Sequence, residues 1–132
     1  MSTETKTQNI ISFPLPKAAE SEITRIDLNE YVNQKENGII YAHVEGDSMI
    51  EENIYDGDLL VVDRFIEPKS GDVIVARLGD GYTVKKFERR AGKFYLVPAN
   101  GAYEVRQVSD SDDFEIFGVV IHTIHRLESA KR

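Results

Sequence analysis

From Ile39 onward, short apolar runs alternate with clusters of turn-forming residues. "IIYAHVE" (39–45), "DLLVVD" (58–63), "DVIVARL" (72–78), "YTVKKFE" (82–88), "KFYLVPA" (93–99) and "FEIFGVVIHTIHRL" (114–127) are rich in Val, Ile, Tyr and Phe, and Gly, Asp, Pro and Asn stand between them. Six strands or more are predicted from these runs. "GDG" at 79–81 and "RAG" at 90–92 lie between runs at hairpin spacing, which predicts an antiparallel meander over 72–97. The last run is long enough to bend or to form two strands, with Gly118 as the expected break.

The amino-terminal part reads differently. Residues 1–24 are mostly polar, carry Pro14 and Pro16, and hold neither helical nor alternating periodicity, which predicts a flexible, extended arm. In "IDLNEYVNQKENG" (26–38), Asp27 followed by Glu30 matches a capping box. Leu28, Tyr31 and Val32 fall on one helical face and Gly38 marks a stop, so a short helix is predicted over about 27–35. The expected architecture is mainly β: a flexible arm over 1–24, then a compact domain over 25–132 with one short helix and mostly antiparallel strands from residue 39.

Composition narrows the function. A chain of 132 residues is long enough for one core without disulfides or a metal. No apolar run approaches the roughly 18 residues needed to span a bilayer. The amino terminus carries no basic-then-hydrophobic export signal, so a cytoplasmic protein without membrane contact is expected. The absence of cysteine excludes disulfides, thiolate catalysis and Cys-based zinc sites, so any nucleophile must be an oxygen or an amine. A net charge of −7 argues against nonspecific DNA adhesion and favours protein partners. No cofactor and no metal site is expected.

Two places could carry chemistry. Ser48 sits in "VEGDSMI" (44–50) directly after a strand-like run, yet Gly, Asp and Ser are also what turns are made of. The histidines offer no evident base: His122 and His125 are expected on opposite faces of a strand, His43 lies among apolar residues, and all three read as structural or surface groups. In "GYTVKKFERR" (81–90), alternation places Tyr82, Val84 and Lys86 on one face and Thr83, Lys85 and Phe87 on the other. The adjacent lysines therefore diverge and one can be forced inward. A buried lysine loses ammonium hydration, so its pKa can fall from about 10.4 toward 7 and the neutral amine can accept a proton. A Ser-Lys dyad works in this way, as a known alternative to Ser-His-Asp.

Taken together, the "GDSM" turn, "DGDLLVVD", "GDVIVA", "TVKK" and "FGVVI", in that order over about 39–127, resemble the carboxy-terminal domain of the LexA/UmuD family of self-cleaving serine peptidases. "FPL" at 13–15 and "RIDLNE" at 25–30 incline the likeness to the UmuD branch, the accessory subunits of error-prone translesion DNA polymerases. The resemblance implies that Ser48 is the nucleophile and Lys85 the general base, with Lys86 outward and solvated. It also implies that the Ser48 and Met49 amides are oxyanion donors, with Met49 walling the cleft, while Gly46 and Asp47 only form the turn. The partners it implies are a second copy in a homodimer, a RecA-type filament on single-stranded DNA, and a translesion polymerase catalytic subunit, with no sequence-specific DNA binding.

These peptidases cut their own arm between a small residue and glycine, but this arm has no glycine. Ala18, Ala19 and Glu20 in "PKAAESE" form the expected cleavage region, used weakly or in trans within a dimer. Three other functions compete. A LexA-type or phage-type repressor needs an amino-terminal DNA-reading domain, which one short helix in an acidic chain does not supply. A signal-peptidase-like enzyme would need a membrane segment. A non-cleaving interaction module would keep Ser48 and Lys85 unreactive.

Overall fold

The computed structural model describes residues 27–32 and 38–128. The chain forms two compact units, Met1–Gln34 and Lys35–Arg132. In the first, helix α1 (Leu28–Val32) starts as predicted. The Asp27 carboxylate accepts the Asn29 N–H at 3.0 Å, and the Asp27 carbonyl accepts the Tyr31 N–H at 3.0 Å, closing the first turn. The rest of the predicted helix and the whole arm, including Ala18, Ala19 and Glu20, lie outside the described residues.

The second unit is one seven-stranded sheet. Its strands are β1 (Ile39–His43), β2 (Leu59–Asp63), β3 (Val73–Leu78), β4 (Gly81–Arg90), β5 (Lys93–Val97), β6 (Arg106–Val108) and β7 (Phe114–Ile124). Their spatial order is β1-β2-β7-β3-β4-β5-β6, and every pairing is antiparallel. The predicted meander is present as β3-β4-β5. β6 extends it and was not predicted, because three residues of an exposed edge carry too little alternation to read. The expected helix stop at Gly38 follows residues outside those described; a Cβ on Gly38 would lie 2.8 Å from Cδ2 of the exposed Phe65 side chain.

The last apolar run is one strand with bulges rather than two strands. Val75 pairs with Gly118 and Ala76 with Ile116, so Phe117 is the extra residue between them. That slip reverses which side chains face which side of the sheet. Phe114 and Ile116 pack on the same cluster as Val119, whereas Phe117 and Val120 pack on the other. Glycine is required at the bulge, because a Cβ on Gly118 would stand 2.6 Å from Val62 Cγ1 and 3.0 Å from the Asp63 carbonyl oxygen.

The sheet buries apolar side chains on both faces. On one, Val44, Met49, Ile54, Leu60, Val62, Val75 and Ala99 form a cluster that includes the segment after β1. On the other, Ile74, Ala76, Phe87, Leu96 and Val119 pack together. Residues 44–58 form a closed loop. The Val44 N–H donates to the Asp58 carbonyl at 2.9 Å and the Gly57 N–H to the Val44 carbonyl at 2.8 Å.

The Asp58 side chain fixes the same point. It is 2% exposed; Oδ2 accepts the Tyr55 N–H at 2.9 Å and Oδ1 lies 2.6 Å from His125 Nδ1. His125 continues the β2–β7 register: Leu59 stands opposite Ile124, so Asp58 falls opposite His125 one residue beyond the end of β7.

Two stability differences follow. Gly118→Ala should cost about 1–3 kcal/mol through overpacking. Gly81→Ala, where the nearest contact is the Leu78 carbonyl at 4.0 Å, should stay within about 0.5 kcal/mol of wild type in urea denaturation. Asp58→Ala should lower stability by about 1–3 kcal/mol in the same measurement, because the Tyr55 N–H loses its acceptor and the tie to His125 is cut.

Candidate active site

Ser48 lies in the closed loop, and the turn that carries it is held from three directions. Gly46 adopts φ +93°, which glycine takes without strain, and its N–H donates to Asp56 Oδ1 at 2.8 Å. Met49, 2% exposed, is driven into the core beside Ser48. The chain after β5 supplies the third hold. Ala99 N–H donates to the Ser48 carbonyl at 2.8 Å, Glu51 N–H to the Ala99 carbonyl at 2.7 Å, and Asn100 Nδ2 to the Asp47 carbonyl at 2.8 Å. The Tyr103 hydroxyl donates to Asp47 Oδ1, and by accepting that proton the Asp47 carboxylate holds the phenol above its ordinary range. Asp47 is therefore a turn residue, as predicted.

Lys85 reaches the turn from β4. β5 pairs with β4 only over Lys86–Arg90, so the half of β4 that contains Lys85 has no β5 partner. The lysine amine occupies the space beside that unpaired half. Its Nζ is 3.0 Å from Ser48 Oγ, 2.7 Å from Thr83 Oγ1 and 3.1 Å from the Val84 carbonyl oxygen. The two residues brought together are 37 positions apart in sequence. Lys85 is half-buried, and loss of hydration lowers its pKa from the ordinary 10.5.

The two lysines diverge as alternation predicts, but Lys86 is not simply solvated. Its Nζ pairs with Glu52 Oε2 at 2.6 Å, with 28% of the Lys86 side chain exposed. The sequence reading missed Thr83 as an amine partner, although alternation had already placed it on the Lys85 face. It also missed Ala99, Asn100 and Tyr103, for which no local signal existed.

A cleft of about 350 Å³ opens beside Ser48 and Lys85, with His43, Val44, Met49 and Tyr82 also among its walls. A second hollow of about 250 Å³ shares Tyr82, Thr83 and Lys85 and continues to Leu96, Glu104 and Arg106. Met49 thus walls the cleft as expected. Among the described residues, neither the Ser48 nor the Met49 N–H donates to another protein group. None of the described helices is long and apolar enough to cross a membrane.

Residues 9–121 match the Peptidase S24-like family. The chain is 34% identical over 117 residues to Protein SamA of Salmonella typhimurium, covering 89% of this chain and 80% of SamA. It is 35% identical over 114 residues to Protein ImpA of Escherichia coli, covering 86% of this chain and 77% of ImpA. It is also 41% identical over 81 residues to the LexA repressor of Bordetella parapertussis, covering 61% of this chain but 38% of the repressor. With the family matched over most of its length, the chain belongs to the Peptidase S24-like family, the LexA/UmuD group of self-cleaving serine peptidases tied to the SOS response to DNA damage.

Proposed function

We propose that this chain is a self-cleaving peptidase in which Ser48 is the nucleophile and Lys85 the general base. We infer that its substrate is its own arm near Ala18, Ala19 and Glu20, and that, as a cytoplasmic homodimer, it serves a translesion polymerase after stimulation by a RecA-type filament on single-stranded DNA. The observation that carries the chemistry is the 3.0 Å separation of Lys85 Nζ and Ser48 Oγ at a half-buried amine. The partners are supported by family membership and by similarity to SamA and ImpA over more than three quarters of the length of each.

As an ammonium, Nζ donates to Ser48 Oγ, Thr83 Oγ1 and the Val84 carbonyl. Once it is neutral, two N–H groups keep Thr83 Oγ1 and the Val84 carbonyl, and the lone pair that replaces the third can accept from the Ser48 hydroxyl. In acylation Ser48 Oγ bonds to the scissile carbonyl carbon while its proton passes to Lys85 Nζ. The carbonyl oxygen becomes an oxyanion within reach of the Ser48 and Met49 amides. Collapse breaks the C–N bond, and Lys85 returns the proton to the departing amine. Water then attacks the acyl ester, giving its proton to Lys85, and Ser48 regains one as the ester bond breaks. The Ala99, Asn100 and Tyr103 contacts keep the turn in place throughout.

The pH dependence follows from Lys85. The protonated amine has no lone pair, so the rate rises as pH removes the proton and levels off above the Lys85 pKa. Because burial pulls that pKa down, the half-maximal rate should fall below pH 10.5. Intact-mass spectrometry of protein incubated across this range should show a trimmed chain beginning near residues 19–21. Ser48→Ala should abolish it and Lys85→Ala should slow it by about 10²–10⁴-fold. An untrimmed wild-type chain at every pH, with a RecA-type filament on single-stranded DNA added, would refute the peptidase reading.

A second variant tests how the amine is held. Thr83→Val removes one acceptor of Lys85 Nζ while keeping the side-chain shape. Trimming should slow by about 10-fold, corresponding to the roughly 1.4 kcal/mol of one well-placed hydrogen bond.

A further inference from the structure

Ser48 and Lys85 are joined at a second point that the dyad chemistry does not use. Four residues after Ser48, Glu52 ends the 3₁₀ turn Ile50–Glu52; one residue after Lys85 on β4 stands Lys86. The adjacent lysines therefore bind the same short segment twice, Lys85 at Ser48 (3.0 Å) and Lys86 at Glu52 (2.6 Å). The segment between is stiff. Met49 is buried, its carbonyl accepts the Glu52 N–H at 3.0 Å and the Ile54 N–H at 3.2 Å, and Glu51 N–H is tied to Ala99. Movement of Glu52 relative to β4 is thus passed to Ser48 through a structured turn rather than a slack loop.

We propose that Glu52 and Lys86 are a positioning pair for the dyad: their ion pair holds the nucleophile turn against β4 and neutralises the second ammonium beside Lys85. This rests on the Ser48–Lys85 reading above. Charge gives the pair a signature that a merely structural contact lacks. If Glu52 becomes neutral, Lys86 remains as an uncompensated cation next to Lys85 and disfavours a second positive charge. If Lys86 becomes neutral, Glu52 remains as an uncompensated anion and favours the Lys85 ammonium. The two single variants therefore push Lys85 in opposite directions, whereas loss of packing alone would not produce opposite signs.

The other charged or titratable groups around Lys85 are His43 and Glu45 across the cleft from the β1 end, Tyr82 on β4, and Glu104 and Arg106 across the second hollow. All of them stay constant in the comparison.

The experiment reads Lys85 directly, without requiring cleavage. In a Ser48→Ala background, the rate of Lys85 acylation by an amine-reactive ester is followed against pH by site-resolved mass spectrometry. Glu52→Gln should move the Lys85 midpoint down and Lys86→Met should move it up, each by about half a pH unit, as one charge acts across a partly solvated gap. Glu52→Gln/Lys86→Met should return it close to the parent value. In the Ser48-containing chain the double variant should trim at least about 5-fold more slowly at the plateau, because the hold on the turn is gone even though the charge balance is kept. Exchange of the pair, Glu52→Lys/Lys86→Glu, should recover most of that rate.

Shifts of the same sign, or none, overturn the electrostatic role, and an unchanged plateau rate in the double variant overturns the positioning role. If the wild-type chain does not trim at all, the peptidase reading fails, while the Lys85 midpoints still decide whether the pair sets its charge.

Discussion

The meeting of Ser48 and Lys85 depends on where one strand stops pairing. β5 pairs with β4 from Arg90 back to Lys86 and then departs at Val97. One residue further along β4, Lys85 has no β5 neighbour, and its amine sits beside the unpaired half of the strand with a hydroxyl and a carbonyl as partners. The departing chain completes the arrangement. Two residues past Val97, Ala99 makes both backbone hydrogen bonds that hold the Ser48 turn. The same change of direction opens the space for the Lys85 amine and anchors the Ser48 hydroxyl that faces it. Neither feature is independent of the other.

This geometry also explains which parts could be read from the sequence. β2, β3 and β5 read as short unbroken apolar runs, because the sheet buries side chains against a cluster on each of its faces, and such burial leaves a local record. β6 leaves none at three residues. The β7 bulge was visible as Gly118, but a glycine in a strand marks a bend, a break or a close approach without distinguishing them. The difference lies in Val62 and Asp63, more than fifty residues away. For the site, alternation alone established that Lys85 and Lys86 diverge, yet not which one turns toward Ser48. Resemblance to a family made that choice, and the Lys85 Nζ position agrees with it. Asn100, 53 residues from Asp47, has no pattern at all, since a side chain that caps a distant carbonyl looks like any other turn asparagine.

Family and geometry constrain different things. Similarity over most of the length of SamA and ImpA, and over a minor part of the LexA repressor, concerns the family. Geometry concerns the individual chain. Glu52 and Lys86 are visible only by asking what else ties the nucleophile turn to the base strand, because in sequence a Glu and a Lys 34 residues apart are two ordinary surface charges. Exposed ion pairs contribute little to stability, about 0–1 kcal/mol. One placed beside a dyad matters through geometry and field instead.

Lys85 itself works against the fold. A lysine whose pKa is lowered in the native state binds its proton more tightly when unfolded, so between the folded value and 10.5 the unfolded chain holds more protons and native stability rises with pH. Below the folded value the native protein carries the full cost of a half-dry ammonium, eased by hydrogen bonds to Ser48, Thr83 and Val84. A sequence selected for stability alone would place methionine or a solvated residue at position 85. Retaining lysine there, with a hydroxyl at hydrogen-bond distance and a cleft open beside it, makes sense where the neutral amine has work to do: the desolvation that weakens the folded state is what gives the amine a lone pair to use.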